Sequence, residues 1–216
     1  MVIVLDNHVI YYEHVGKGRP LVLLHGNGED HHIFDRLISE LSEEYEIFAV
    51  DSRGHGMSAK EEEYHYKDMA EDVIRLIVEL EINRPLICGF SDGGILALLV
   101  AIDRSDLISG LIVCGANLNP KGLTLGSRMQ IKGEYRKNKS PLTEMMLKEP
   151  DISPSSLVRI TVPTLVLAGE KDMVKESHTK LIAASIQGAK LQILSGEDHG
   201  SYVCDSIKLA DFIRQM

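Results

Sequence analysis

From about residue 20 onward the chain alternates short apolar runs with amphipathic stretches, and that alternation limits its fold more than any other feature. Residues 21–24, 46–50, 86–88, 111–114 and 164–167 are apolar runs rich in β-branched side chains. Runs apolar on both faces suit strands of a parallel sheet covered by helices on either side. Between them, apolar residues recur at helical spacing: Phe34, Leu37, Ile38 and Leu41, then Met69, Val73, Leu76, Ile77 and Leu80, and finally Val203, Ile207, Ala210 and Ile213. Each set makes one stripe to lay against a sheet. The first 15 residues differ, because residues 2–5 and 9–12 flank Asp6-Asn7-His8 and read as an antiparallel hairpin. A chain of 216 residues with 44% hydrophobic side chains suits a single domain, residues 1–216, with one buried core.

One stretch breaks the pattern. Residues 119–160 hold Pro120, Pro141, Pro150, Pro154, Gly122, Gly126 and Gly133, with weak helical pieces at 129–136 and 142–147. They read as a small insertion between two strands. Eight basic residues against four acidic ones make the insertion net positive, although the whole chain carries −9. That overall charge argues against a nucleic-acid partner. No apolar run reaches the ~18 residues of a membrane span, and the N-terminal residues lack the pattern of a signal peptide. Cys88, Cys114 and Cys204 have no metal-binding spacing and suit reduced thiols, so a cytoplasmic setting is expected.

The strongest local motif is Gly89-Phe90-Ser91-Asp92-Gly93, a G-x-S-x-G between the run at 86–88 and the apolar helical stretch at 95–102. A sharp strand-to-helix turn pushes the central side chain out at the sheet edge, and crowding there demands small residues two before and two after it. The new helix also aims free N–H groups and its positive end at whatever Ser91 attacks. A serine hydroxyl is a weak nucleophile unless an imidazole takes its proton. His199, in a loop after the run at 191–194, supplies one. The imidazole in turn needs a carboxylate to fix its tautomer, and Glu170 and Asp172 both follow the run at 164–167. The order serine, acid, histidine at three strand ends is that of one hydrolase architecture.

These residues resemble the α/β-hydrolase family over nearly the whole chain. His25-Gly26-Asn27-Gly28 resembles its HGxG loop, and Asp51-Ser52-Arg53-Gly54-His55-Gly56-Met57-Ser58 its D-x-R-G-x-G-x-S segment. Gly89 to Ile95 and Gly115-Ala116-Asn117 are similar to the branch of biphenyl-hydrolase-like esterases that includes valacyclovir hydrolase. The resemblance implies an α/β-hydrolase fold: a mostly parallel sheet with an N-terminal antiparallel hairpin, helices on both faces, and residues 119–160 as a small cap. It implies Ser91 as nucleophile, His199 as base and then acid, and Asp172 as the orienting acid, since the family places that acid three residues past the glycine at 169. The backbone N–H groups of Asn27 and Asp92 would form the oxyanion hole. The Asp92 carboxylate would either complement the helix dipole or select a cationic group on the substrate.

The remaining candidates are substrate contacts and histidines. Phe90, Leu118, Met129, Met145 and Met146 are expected around the substrate, with Leu142 and Leu147 completing an adaptable apolar roof. His25 and His55 fall within turns, where hydrogen bonding accounts for them. His31 and His32 are adjacent, and neighbours on a helix diverge, so no metal is assigned and no cofactor is expected. The function expected is hydrolysis of a small-molecule ester, thioester or amide through an acyl-enzyme. The alternatives are a ligand receptor on the same fold with slow turnover, or a perhydrolase or acyltransferase.

Overall fold

The computed structural model describes residues 1–5 and 8–216, so the expected hairpin turn at Asp6-Asn7 lies outside the described residues. Among the described residues, eight strands form one sheet: β1 (Val2–Leu5), β2 (His8–Gly16), β3 (Arg19–Leu24), β4 (Tyr45–Val50), β5 (Leu86–Phe90), β6 (Gly110–Cys114), β7 (Thr164–Lys171) and β8 (Lys190–Asp198). Their spatial order is β1-β2-β4-β3-β5-β6-β7-β8. β1 pairs antiparallel with β2, and β2 with β4. Every other neighbour is parallel. The order runs outward from β3 in both directions, so the strands next to it end side by side and open a crevice at their C-terminal ends.

Seven α-helices are found among the described residues: α1 (Asp35–Leu41), α2 (Tyr66–Glu79), α3 (Asp92–Arg104), α4 (Leu125–Asn138), α5 (Pro141–Lys148), α6 (Glu176–Ser185) and α7 (Ala210–Arg214). Side chains alternate across each strand. Val22 and Leu24 of β3 and Ile87 of β5 therefore join the layer under α2, α3 and α6. Leu21, Leu23, Leu86 and Cys88 face α1 and α7 instead. The continuous apolar runs in the sequence are thus strands covered on both faces. No helix among the described residues is long and apolar enough to cross a membrane.

The last helix is shorter than its stripe suggests. Val203, Ala210 and Ile213 are buried, but Ile207 is exposed, and only residues 210–214 are α-helical. Asp205 sits at φ 48° and its N–H donates to Ile33 O, which stops a continuous helix. Residues 119–160 connect β6 to β7 and hold α4 and α5, with 3₁₀ turns at Pro120–Gly122 and Pro154–Arg159. Both helices are longer than the weak patterns in the sequence indicate.

Candidate active site

The turn between β5 and α3 places Ser91 at φ 52°, ψ −115°. Left-handed φ is costly for a non-glycine residue, and the surroundings impose it. Ser91 N–H donates to Cys114 O at 2.8 Å, and Gly93 N–H to His25 O at 2.9 Å. A Cβ at Gly89 would sit 2.2 Å from Gly93 O, and one at Gly93 would sit 2.2 Å from Leu24 O. The two glycines of the motif are therefore steric requirements of the turn, as the sequence suggests.

Three strand ends bring the chemical groups together. His199 directly follows β8, with Nε2 3.0 Å from Ser91 Oγ and Nδ1 2.7 Å from Asp172 Oδ1. Asp172 directly follows β7, and its nearly buried carboxylate also accepts N–H bonds from Gly169 and Val174. Those bonds fix its orientation without using up its contact with the ring. The other acid considered, Glu170, is directed elsewhere: its Oε2 accepts from Gly196 N–H at 2.7 Å and Ser195 Oγ at 3.2 Å.

The loops that flank the serine are joined through Asp92. Its carboxyl is buried and accepts from Asn27 Nδ2 at 2.9 Å and from the Tyr66 hydroxyl. Burial pushes its pKa up, and the two donors only partly offset this. Asn27 and Asp92 both line the pocket that holds Ser91. His25 ties the same loop to the one after β4, since Nδ1–H donates to Gly26 O while Nε2 accepts from Ser52 N–H. His55 Nδ1 faces Arg53 O. Both histidines thus belong to turns.

The pocket over Ser91 holds about 400 Å³. Phe90 and Met146 line it, as the sequence suggests. Leu118 and Met145 do not, because both are buried in the core beneath. Met129 does not either. It is 65% exposed, because α4 is turned so that Gln130, Ile131 and Glu134 face the pocket. Sequence reasoning also missed Glu29. A Cβ at Gly26 would meet Glu29 Oε2 at 2.7 Å and Ser91 Cβ at 3.0 Å, so this carboxyl lies beside the serine. Burial raises its pKa, against hydrogen bonds from Cys204 and Gly26 N–H. Its place four residues past His25, in the loop that follows β3, was the available signal.

The electrostatic character of the pocket is opposite to that of the segment above it. Glu29, Asp92, Glu134 and Glu149 line it, and among the described residues no Lys or Arg does. The basic residues of 119–160 face elsewhere. Glu149 is partly offset, since Oε1 lies 2.6 Å from His65 Nδ1 and Oε2 accepts Tyr66 N–H. That contact lifts the His65 pKa.

Residues 19–135 match the family model described as the alpha/beta hydrolase fold. The AB hydrolase superfamily protein YisY of Bacillus subtilis is 26% identical in an alignment covering 97% of this chain and 96% of that one. The serine hydrolase BPHL of Mus musculus is 25% identical, covering 90% and 78% respectively. Among solved structures, an esterase from Exiguobacterium antarcticum superposes with a TM-score of 0.83 at 22% identity, over 99% of this chain and 96% of that one. A meta-cleavage product hydrolase from Pseudomonas fluorescens gives 0.80 at 21% identity, over 100% and 95%.

Proposed function

This chain belongs to the alpha/beta hydrolase fold family, and from that premise we propose that it is a serine hydrolase cleaving a small-molecule ester, thioester or amide through an acyl-enzyme. The observation that carries this reading is the unbroken line from Ser91 Oγ to His199 Nε2, and from His199 Nδ1 to Asp172 Oδ1, at 3.0 and 2.7 Å. His199 takes the hydroxyl proton as Oγ bonds to the carbonyl carbon. Asp172 keeps the ring in the tautomer whose Nε2 lone pair faces the serine.

The carbonyl oxygen becomes an oxyanion held by the N–H groups of Asn27 and Asp92, and losing one such donor typically costs about 10²–10³ in rate. His199 then returns the proton to the leaving oxygen, sulfur or nitrogen as its bond to carbon breaks. Water repeats the sequence to release the acid and restore Ser91. Residues 119–160 act as a small cap over the acyl group. With several carboxylates and, among the described residues, no Lys or Arg at its wall, the pocket favours neutral or cationic substrates over anionic ones.

The test is covalent capture. A fluorophosphonate should add once, on the peptide holding Ser91, and Ser91→Ala should lower p-nitrophenyl ester hydrolysis by about 10⁶. An adduct on another serine in active protein would overturn the assignment.

A further inference from the structure

Away from Ser91, the adjacent pair His31-His32 takes no part in the chemistry above, yet its surroundings are highly ordered. Asp30 caps the 3₁₀ turn His31–Phe34 through an oxygen that accepts His32 N–H at 3.0 Å. His31 is 4% exposed. Its N–H and Nδ1 lie 2.9 and 2.7 Å from the same oxygen of Asp51. The Asp51 carboxyl is itself fully buried and accepts Met57 N–H through its other oxygen. The carboxylate oxygen at Nδ1 accepts a hydrogen bond there, which leaves Nε2 as the ring nitrogen free to ligate.

His32 repeats the arrangement at the surface, with Nδ1 3.1 Å from Asp35 Oδ2. The sequence expectation that the two rings diverge is wrong here. The two residues sit in a 3₁₀ turn, and their ring centroids lie 4.1 Å apart. One ligand atom from each of Asp30, His31 and His32 lies within 4.8 Å of the other two. A groove of about 350 Å³ runs past the two rings, lined by Tyr11, Glu13, His31, His32 and Asp35 among others, with Asp30 at its margin outside the lining.

We propose that Asp30, His31 and His32 bind a divalent transition-metal ion of the zinc class, outside the hydrolytic centre. Two imidazoles and one carboxylate suit Zn²⁺, Ni²⁺ or Cu²⁺, whereas Mg²⁺ and Ca²⁺ prefer oxygen ligands alone. Histidines that ligate metals commonly give their second nitrogen to a carboxylate, which orients the ring and raises its basicity. Both rings here have that partner, Asp51 for His31 and Asp35 for His32. His31 is the fixed ligand. His32 is exposed and Asp30 half-buried, so they can close the remaining gap, and water completes the coordination. The ion would pin the turn three residues beyond Asn27 and so brace the loop after β3.

Calorimetry with ZnCl₂ on the chelator-stripped full chain tests this near neutral pH. The expected result is one tight equivalent, with MgCl₂ giving none. His32→Ala and Asp30→Asn should each weaken binding about tenfold or more, and Asp30→Asn keeps a side chain able to cap the turn. Cys204→Ser should bind as the parent does, within about twofold. If both His32→Ala and Asp30→Asn bound zinc as tightly as the parent, or if Cys204→Ser abolished binding, the proposal would fall. Replacing zinc by Co²⁺ gives a second readout. Visible absorption bands should appear in the parent and be lost in Asp30→Asn, with the folded state of each variant checked by circular dichroism.

Discussion

Around Ser91 the backbone is tied to neighbouring strands on every side, whereas α4, which faces it across the pocket, buries only Ser127 and Ile131. Asp172 holds two backbone N–H groups, and His25 bridges two loops. α4 rests on a small cluster of Leu123, Ile131 and Val174, and Leu125 and Met129 beside it are exposed. Buried hydrogen bonds tolerate little displacement, because a group left unpaired costs about 1–3 kcal/mol. An apolar roof of few contacts can shift at small cost. Substitutions near the strand ends should therefore change rates by orders of magnitude, and substitutions on α4 should change preference by small factors.

The largest contrast lies between two carboxylates two residues apart. Asp172→Asn should lower kcat on the order of 10⁴, because an amide at that place favours the wrong imidazole tautomer. Glu170→Gln should change it by no more than a few-fold, since Glu170 serves the loop of β8. Steady-state kinetics of the two variants on one ester decide the matter, and the reverse order would make Glu170 the acid.

The next effect tests whether the strand-end loops are held as His25 suggests. Burial, with His55 nearby, lowers its pKa to about 4, whereas an unfolded histidine titrates near ~6.5. Between those values the unfolded chain binds more protons. The stability from neutral His25 is thus fully present above ~6.5 and drains away as pH falls toward 4. The gap corresponds to about 3 kcal/mol. Urea unfolding of the parent and of His25→Gln at pH 7.5 and 4.5 should show a smaller pH dependence in the variant. Equal dependence would mean that other groups cause the acid sensitivity.

How much of this was legible in the sequence follows the same division. Strand positions, the elbow and the order of Ser91, Asp172 and His199 could be read because period, glycine sterics and strand-end placement are local signals. The expected strands at 164–167 and 191–194 were too short, since β7 continues through the polar residues to Lys171 and β8 to Asp198. The substrate contacts were poorly legible. α4 has almost no apolar stripe, so nothing in its sequence says that Gln130, Ile131 and Glu134 face inward while Met129 faces water. Glu29 escaped notice because its role arises from the fold of the loop after β3, which no periodicity encodes.

A smaller effect separates the two readings of Asp92. Its carboxyl already accepts from Asn27 and Tyr66, which ties the loop of Asn27 to the turn at Ser91. Asp92→Asn should lower kcat by about 10–100-fold, somewhat less than the loss of an oxyanion donor outright. The loss should be equal on an amino-acid ester and on a neutral ester of the same size. A loss confined to the cationic substrate would instead give Asp92 the task of selecting charge.

The smallest expected effects concern the roof, and they show how far it shelters an acyl chain. Each buried methylene contributes about 0.8 kcal/mol, a gain of roughly fourfold in kcat/KM. That gain lasts only while there is wall to bury against. The pocket of about 400 Å³ has Leu123, Ile131, Met146 and Met173 among its apolar lining. Beyond it, Leu125 and Met129 lie exposed and form no floor. In a series of p-nitrophenyl esters, kcat/KM should rise to an optimum at about two to six acyl carbons and then flatten or fall. A steady rise out to twelve or sixteen carbons would show that α4 moves aside to open a long groove. The contrast between a fixed floor and an adaptable roof would then be sharper than the static contacts suggest, and the substrate class would shift toward long-chain lipids or thioesters.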